Sequence, residues 1–348
     1  MSRPSKRTGE LALAIYAGGL FVTIVAMFVA VLISSPRPVV VVVESPSAGA
    51  GTSVGAAVSA PAPSAGAASV TAPPPAESVV PSAPPGIQVI EIAAVPPTDD
   101  VFAADWQNAP VMEVPLLPQT VTRPMLAGAT VRSVSVQALR DGKRIAWRVS
   151  WEAPEPSYNV DADRFSDAVA IQFSLQPGTP FLMGGPGMPV HILHWKALWQ
   201  KDVEEHYQQV EDVHPNYRAD FYWFADGDFP SPYATSLDNP QARQFMPAMA
   251  AGNPMADPGR ERPVEELVAE GFGTATTVRD TISGANGHWK DGRWTVVFDR
   301  PLTSDDPIAA AMSAGKADAL AFAVWDGTAK NVGGQKHFSN WIPVRLSK

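Results

Sequence analysis

The residues of this chain that could bind a metal or a cofactor are concentrated in one short segment, residues 179–200, TPFLMGGPGMPVHILHWKALWQ. Two methionines and two histidines lie there around a Gly-Gly-Pro turn: Met183, Met188, His191 and His194. Thioether sulfur and imidazole nitrogen are both ligands of transition metals. The segment therefore raises the question of whether it binds a metal ion or a haem.

A zinc site is the simpler possibility, since the pair His191-x-x-His194 is followed by Asp202. The sequence around both histidines predicts a strand, however, and residues three apart on a strand point to opposite faces. We therefore do not expect zinc here. The sequence also lacks a P-loop, a Rossmann fingerprint, a G-x-S-x-G motif and an H-E-x-x-H motif, so it carries no local signature of those classes of enzyme.

Composition limits the remaining redox chemistry to a cofactor that is not covalently attached. The 348 residues include no cysteine, which excludes disulfides, cysteine-ligated iron–sulfur clusters and thioether-attached haem. A haem held without covalent attachment is bound through axial ligands of its iron, and methionine sulfur is a suitable one. Met183 lies in the turn FLMGGPG, where glycines let the backbone approach a flat macrocycle. A plain packing role for Met183 is the alternative.

The elements that must position these residues are mostly strands. Two hairpins are predicted where alternating segments flank an Asp-Gly pair, at residues 131–152 and 287–302. Four further segments have the pattern of strands: 168–175, 189–197, 319–327 and 338–346. Helical spacing is limited to 195–207 and to a short stretch at 262–273. The sequence thus predicts a mainly β fold, an antiparallel β-sandwich with helical and loop insertions. Residues 213–262 are expected to form a long irregular excursion over a site.

The N-terminal region predicts one transmembrane helix and a tether ahead of a single folded domain. Residues 1–10 carry three basic side chains, and residues 11–34 are an uncharged apolar run; about 20 such residues cross a bilayer. The positive-inside rule places residues 1–10 in the cytoplasm and the C-terminal domain in the periplasm, as a single-pass protein of the inner membrane. A cleaved signal peptide is the alternative. Residues 35–98, rich in Pro and Ala, predict a disordered tether, and residues 99–348 predict the domain.

The net charge of −9 without a basic stripe argues against a nucleic-acid partner.

Four segments resemble, in order, the haem-binding subunit of ethylbenzene dehydrogenase and its relatives, the gamma subunits of dimethylsulfide dehydrogenase, selenate reductase and chlorate reductase. They are WQNAPVMEVPLLPQ (106–119), FSDAVAIQFSL (165–175), MGGPGMPVHILHWKALWQ (183–200) and GGQKHFSNWIPV (333–344). The resemblance covers about residues 99–348. It implies a β-sandwich that binds one b-type haem, with methionine and lysine as the axial ligands of the iron.

Carried onto this sequence, the resemblance implies Met183 as the sulfur ligand and Lys336 as the nitrogen ligand. Met188 and Lys330 are the alternatives, and His337 and His194 follow if neither lysine binds the iron. A lysine can bind iron only as the neutral amine. Burial lowers the pKa of a lysine and so favours that neutral form. Without the resemblance, Lys336 would be interpreted as an ordinary surface lysine.

The same resemblance implies an electron-transfer subunit that is not itself an enzyme. Such a subunit would relay electrons between a molybdenum-containing catalytic subunit, with its iron–sulfur subunit, and a c-type cytochrome or the quinone pool. The anchor and tether depart from the soluble subunits of this family, and the excursion adds three methionines: Met246, Met249 and Met255. The alternative is a non-redox, carbohydrate-binding-like β-sandwich module that uses some of the ten tryptophans. A periplasmic haem sensor or storage protein is a third hypothesis.

Overall fold

The structure of the protein is a computed structural model, and it describes residues 85–216, 246–302, 305, 307–308 and 319–346. All of them belong to one unit of the chain, Ser78–Lys348. The predicted anchor at residues 11–34 and the predicted tether as far as residue 84 lie outside the described residues. Within the described part of the chain, no helix is both long and apolar enough to cross a membrane.

Fourteen strands in the described residues form one continuous sheet. In chain order they are β1 (Ile87–Glu91), β2 (Met112–Pro115), β3 (Leu117–Pro118), β4 (Ser133–Arg140), β5 (Arg144–Glu152), β6 (Ala168–Ser174), β7 (Val190–Lys196), β8 (Val264–Ala269), β9 (Thr276–Thr277), β10 (Gly284–Lys290), β11 (Arg293–Pro301), β12 (Ala319–Trp325), β13 (His337–Phe338) and β14 (Ile342–Leu346). Their order across the sheet is β10-β11-β5-β4-β1-β14-β12-β6-β7-β8-β9, with β2 beside β4 and β13 between β12 and β3. The helices of the described residues are short: α1 (Ala197–Glu204), α2 (Val210–Val213), α3 (Pro247–Ala250) and two 3₁₀ turns at Ala104–Asn108 and Pro254–Ala256.

The prediction of a mainly β fold with few helices is confirmed, but the sheet is mixed and is not plainly an antiparallel sandwich. β1 pairs in parallel with both β14 and β4, whereas the other pairs are antiparallel. No hairpin turn joins β1 to either neighbour, so no turn forces it to run antiparallel to them. Ile87 and Val89 of β1 are fully buried. The sheet therefore includes residues ahead of the predicted boundary at residue 98.

The main core lies between the two halves of this curled sheet. β4, β5 and β11 contribute apolar side chains from one half, and β6, β7 and β12 contribute them from the other. Trp195 and Trp294 pack edge to face across it, with ring centroids 5.0 Å apart. The indole N–H of Trp294 donates a hydrogen bond of 2.9 Å to Asp167. Aromatic pairs of this geometry contribute about 0.5–1.5 kcal/mol beyond the burial of their area. This contact therefore helps to hold the two halves of the sheet together.

Local sequence signals account for most of the elements. Both Asp-Gly hairpins form as predicted, β4–β5 and β10–β11, and Asp291 and Gly292 adopt the positive φ angles (51° and 77°) of a type I′ turn. The helix predicted within 195–207 is α1. The helical spacing at 262–273 is misleading, because that stretch is strand β8. Its Glu265 and Glu266 pair with basic groups of other elements, so tertiary contacts outweigh the local pattern.

Candidate cofactor-binding site

A cavity of about 550 Å³ lies on the face of β6, β7 and β12 that points away from the main core. Ala170 of β6 and Ala323 of β12 lie directly opposite each other in its floor, and Ala321 extends the floor along β12. Their chain neighbours Ile171 and Val324 point into the main core. Side chains alternate between the two faces of a strand, so alanine at every second position leaves one face open. The floor is therefore suited to a flat group.

Loops from four parts of the chain form the walls of the cavity. They are the segments around 119–124, 181–183, 272–273 and 333–339. The rings of Phe181 and Phe338 stack at the wall, with centroids 5.9 Å apart and an interplanar angle of 19°. Most of the lining atoms are apolar, and the polar side chains are few: Gln119, Thr122, Arg123, Gln172, His194, Lys336 and Ser339. Such a cavity favours an apolar group with a small number of polar attachment points.

The structure brings Met183 and Lys336 together in this cavity, although 153 positions separate them in the chain. Lys336 Nζ lies 3.8 Å from Met183 Sδ and 5.2 Å from the centroid of the Trp325 ring. Among the described residues, no acidic side chain forms an ion pair with Lys336. Burial therefore lowers the pKa of Lys336 to about 8. An amine in this environment loses its proton more easily than a surface lysine does.

The backbone at Met183 is held in an uncommon conformation. Its φ angle is 63°, in the left-handed region that costs an L-residue roughly 1–2 kcal/mol. Two backbone hydrogen bonds maintain the turn: Met183 N–H donates to Phe181 O (2.9 Å), and Gly271 N–H donates to Met183 O (2.8 Å). At the next position a Cβ would lie 2.5 Å from Met188 O, so Gly184 is required there. The turn thus keeps the sulfur-bearing side chain on the cavity.

The alternative lysine and the alternative methionines lie outside the cavity wall. Lys330 is on the surface, where its Nζ pairs with Asp163 at 3.0 Å and its side chain is 61% exposed. Met188 does not line the cavity, and it forms an isolated β-bridge with Gly185. The three methionines of the excursion are also absent from the cavity wall: Met246, Met249 and Met255. The geometry therefore unites Met183 and Lys336 and separates Lys330, Met188 and the three methionines of the excursion from them.

His191 and His194 point to opposite faces of β7, as the spacing on a strand predicts. His191 Nε2 lies 2.8 Å from Glu266 Oε2 in the interior, whereas His194 lines the cavity and its ring packs 4.8 Å from that of Trp325. Asp202 contacts Arg260 instead of either histidine. Across the described ranges, no group of three His, Cys, Asp or Glu side chains is placed to hold a metal ion.

The electrostatics around His194 keep its ring neutral. Burial lowers the pKa of His194 to about 4, and the nearby charge of Lys196 adds to the effect. Burial by itself would raise the pKa of Glu265, but the hydrogen bond with His194 and the charge of Lys196 outweigh burial and lower that pKa to about 2. His194 Nδ1 lies 3.4 Å from Glu265 Oε1, while Nε2 is buried and has no hydrogen-bond partner in the described part of the chain. His194 is thus a spare nitrogen donor in the cavity wall.

His337 is not available in the same way, because both of its ring nitrogens already have partners. Nε2 accepts a hydrogen bond from Thr130 N–H (3.0 Å), and Nδ1 lies 3.3 Å from Val324 O. The ring is fully buried and does not line the cavity. His337 therefore serves to hold its strand in place, and it is a poor candidate for a ligand.

Sequence reasoning missed the alanine floor and the hydrogen bond from Gln119 to Gly334 O, although a signal for the floor was present. The segments AVAIQF and ALAFAV alternate alanine with large apolar residues. That pattern indicates a strand with one packed face and one face of small side chains. Gln119 lies at the end of a motif that was recognised, but its partners become visible only in three dimensions.

The fold and the site define a mainly β protein with an apolar cavity that presents a thioether and a buried amine to each other. The Ethylbenzene dehydrogenase family model matches residues 103–337, which is more than half of the chain, and the chain belongs to that family. The resemblance noted in the sequence is confirmed.

Two curated relatives are similar over most of their length. One is the "Putative respiratory nitrate reductase heme subunit ORF7" of Haloferax mediterranei, 25% identical over 257 residues and covering 70% of each chain. The other is "Chlorate reductase subunit gamma" of Ideonella dechloratans, 24% identical over 277 residues, which cover 78% of this chain and 89% of that one. Among solved structures, a family 9 carbohydrate binding module from Caldicellulosiruptor kristjanssonii covers 74% of this chain and 95% of its own, with 9% identity and a TM-score of 0.33. That structural similarity is too low to bear on function.

Proposed function

We propose that the protein is a non-catalytic haem subunit that transfers electrons within an oxidoreductase complex, with Met183 and Lys336 as the axial ligands of one b-type haem. The observation that supports this most directly is the approach of Lys336 Nζ to Met183 Sδ, 3.8 Å apart in the cavity. The names of the two curated relatives, a heme subunit and a gamma subunit of reductases, support the same class of protein.

The residues of the cavity fit such a group. Methionine sulfur is an established haem ligand, and Lys336, whose pKa burial lowers to about 8, can present a neutral amine. The alanine floor gives a flat macrocycle room on the sheet, and the chain has no cysteine that could attach it covalently. A haem bound here would supply one-electron exchange between ferric and ferrous iron.

The side chains of the chain have distinct tasks in this proposal. The turn at Met183 presents the sulfur, and the apolar walls with the Phe181–Phe338 stack exclude water. Exclusion of water lowers the pKa of Lys336 and so favours the neutral amine, which is the form with a lone pair to donate. The partners we propose are a molybdenum-containing catalytic subunit with an iron–sulfur subunit on one side, and a c-type cytochrome or the quinone pool on the other.

The visible spectrum of the purified protein tests this proposal. We expect a Soret band and, after reduction, sharp α and β bands of a six-coordinate low-spin haem in a ratio of one haem per chain. Extraction with acidified organic solvent should release the haem, because it is not covalently bound. A folded protein that stays colourless after incubation with hemin would refute the proposal.

The alternative of a sugar-binding module depends on exposed tryptophans, and the structure offers none among the nine it describes. Six of them are almost completely buried: Trp106, Trp147, Trp151, Trp195, Trp199 and Trp294. Trp325 is 9% exposed, and Trp289 and Trp341 are only partly exposed. Stacking on a sugar ring needs an accessible indole face, so the described tryptophans favour a structural role.

For the N-terminal region we propose a single-pass anchor at residues 11–34 and a tether that holds the domain on the periplasmic side of the inner membrane. The support is the apolar run behind three basic residues in the sequence. Deletion of residues 11–34 behind a cleavable export signal should move the protein from the membrane fraction to the soluble periplasmic fraction. Retention in the membrane after the deletion would show that something else anchors it.

A further inference from the structure

Gln119 joins two segments of the cavity wall that are far apart in the sequence. Its side chain is buried, at 3% exposure. Oε1 accepts hydrogen bonds from the backbone N–H groups of Val121 (2.6 Å) and Thr122 (2.7 Å). Nε2 donates to Thr122 O (2.8 Å) and, 215 positions along the chain, to Gly334 O (2.8 Å). The backbone N–H of Gln119 donates to Lys336 O at 2.9 Å.

These contacts require a carboxamide of this length. The side chain must accept two hydrogen bonds at one end and donate at the other. A carboxamide does both at every pH, because it has an acceptor oxygen and a donor NH₂ group and does not titrate. Glutamate has no proton to give the carbonyl groups when it is ionised, and asparagine is one methylene shorter. At position 334 a Cβ would lie 3.1 Å from Pro124 O and 3.6 Å from Gln119 Nε2. Gly334 therefore allows the close approach that the side chain of Gln119 uses.

The position of Lys336 depends on this backbone arrangement more than on its own side chain. Within the described part of the chain its Nζ has no acidic partner, and its contacts are the thioether of Met183 at 3.8 Å and the ring of Trp325 at 5.2 Å. Such contacts are weak and have little directional preference. β3 pairs with β13 through Pro118 and His337, so Gln119 lies beside Lys336 at the next step of the chain.

We infer that Gln119 is a positioning residue, which fixes the backbone at Gly334 and at Lys336 so that the amine of Lys336 stays directed at the sulfur of Met183. The inference rests on the proposed function, since it assigns Gln119 a part in holding the haem ligand.

The test compares Gln119→Met with Gln137→Met in the full chain. Methionine keeps the approximate size of glutamine and removes its hydrogen bonds. Gln137 is a matched control, because its Nε2 also donates to two carbonyl groups, Trp106 O and Ala109 O, both at 2.7 Å, and it does not line the cavity. Three quantities are measured: the rate of haem transfer to excess apomyoglobin, the low-spin fraction of the ferric spectrum at one fixed pH, and amide hydrogen exchange over residues 333–338 without cofactor.

We expect Gln119→Met to transfer haem about tenfold faster, which corresponds to about 1.4 kcal/mol, with a smaller low-spin fraction and faster exchange over residues 333–338. Gln137→Met should leave all three at wild-type values. If Gln119→Met does not fold, Gln119→Asn is measured in its place with the same expectations. Haem transfer and spectra that are the same in the two glutamine variants would overturn the inference. A wild-type protein that binds no haem would instead overturn the proposed function. In that case, amide hydrogen exchange over residues 333–338 that is the same in Gln119→Met and the wild type would overturn the positioning role of Gln119 by itself.

Discussion

Replacing Lys336 by methionine should stabilise the cofactor-free protein near neutral pH. In the wild type, burial lowers the pKa of Lys336 from 10.5 to about 8, so at pH 7 the folded protein holds an ammonium in a place that disfavours charge. One pKa unit corresponds to about 1.36 kcal/mol, and the cost of that buried charge is therefore about 3 kcal/mol. Methionine keeps an apolar chain of similar length and carries no charge.

Part of this gain is offset, because the ammonium of Lys336 lies 5.2 Å from the Trp325 ring. A cation–π contact of this kind contributes about 1 kcal/mol, so we expect a net increase of about 2 kcal/mol in the free energy of unfolding at pH 7. The pH dependence has a definite sign. Between pH 8 and 10.5 the unfolded chain binds the proton of Lys336 more tightly than the folded chain does. The contribution of Lys336 to wild-type stability therefore rises with pH in this range, and this contribution is absent from the variant.

Urea unfolding of the cofactor-free protein at pH 7 and pH 10, followed by tryptophan fluorescence, measures both effects. Lys330→Met is the matched control, because Lys330 is 61% exposed and should change stability by less than about 0.5 kcal/mol. Burial also lowers the pKa of Lys196 to about 8, but Lys196 is present in all three proteins and cancels in the differences. The reasoning is refuted if Lys336→Met is no more stable than the wild type at pH 7, or if its advantage does not shrink at pH 10.

Further variants test the ligands and the interior. Met183→Ala should fold but lose or weaken haem binding, with a shift of the reduced spectrum toward the high-spin form. An unchanged spectrum would move the sulfur ligand to Met188 or to one of the methionines in residues 246–255. Lys336→Ala should lose the low-spin ferric spectrum and bind exogenous imidazole, whereas Lys330→Ala should resemble the wild type; the reverse pattern would assign Lys330. Glu266→Gln breaks a buried charge network and should lower the free energy of unfolding at pH 7 by about 3–5 kcal/mol. Burial opposes ionisation of Glu266, but its hydrogen bonds and basic neighbours lower the pKa to about 2. The stability that ionised Glu266 contributes should therefore be complete above pH 4.5 and lost as the pH falls toward 2. If urea titrations at pH 7 show that Glu266→Gln lowers the free energy of unfolding by less than about 1 kcal/mol, the prediction is contradicted.

Lys336 has two properties that the predictions test separately: in the cofactor-free protein its charge lowers stability, and with haem its amine is the proposed ligand. A site that binds iron through an amine benefits from a dry, apolar setting, and the same setting makes the protein less stable when the amine is protonated. The left-handed backbone at Met183 adds a second local cost in the same cavity. Strain of this kind persists only where surrounding contacts enforce it, here the hydrogen bonds to Phe181 and Gly271.

The sequence alone determined the parts of the fold that depend on near neighbours. The two Asp-Gly hairpins could be predicted because Asp-Gly is a favoured turn sequence and because alternation on each side identifies the strands. The turn at Asp291 and Gly292 has the positive φ angles of type I′. The separation of His191 from His194 followed from the period of a strand. Met183 and Lys336 came from the resemblance of four ordered motifs, since nothing in the local chemistry of a single methionine or lysine distinguishes a ligand from a packing or surface residue.

Only the tertiary structure decided which distant segments meet. Three features depend on contacts between residues far apart in the chain. They are the parallel pairing of β1, the burial of the charged strand β8, and the approach of Lys336 to Met183 in one cavity that Met188 and Lys330 do not line. The hydrogen bond from Gln119 to Gly334 O, across 215 positions, is the clearest example. Turn chemistry and side-chain alternation act over a few residues, whereas a cavity is defined by the faces of several strands and the loops that close it. Its position is therefore set by the packing of the whole sheet.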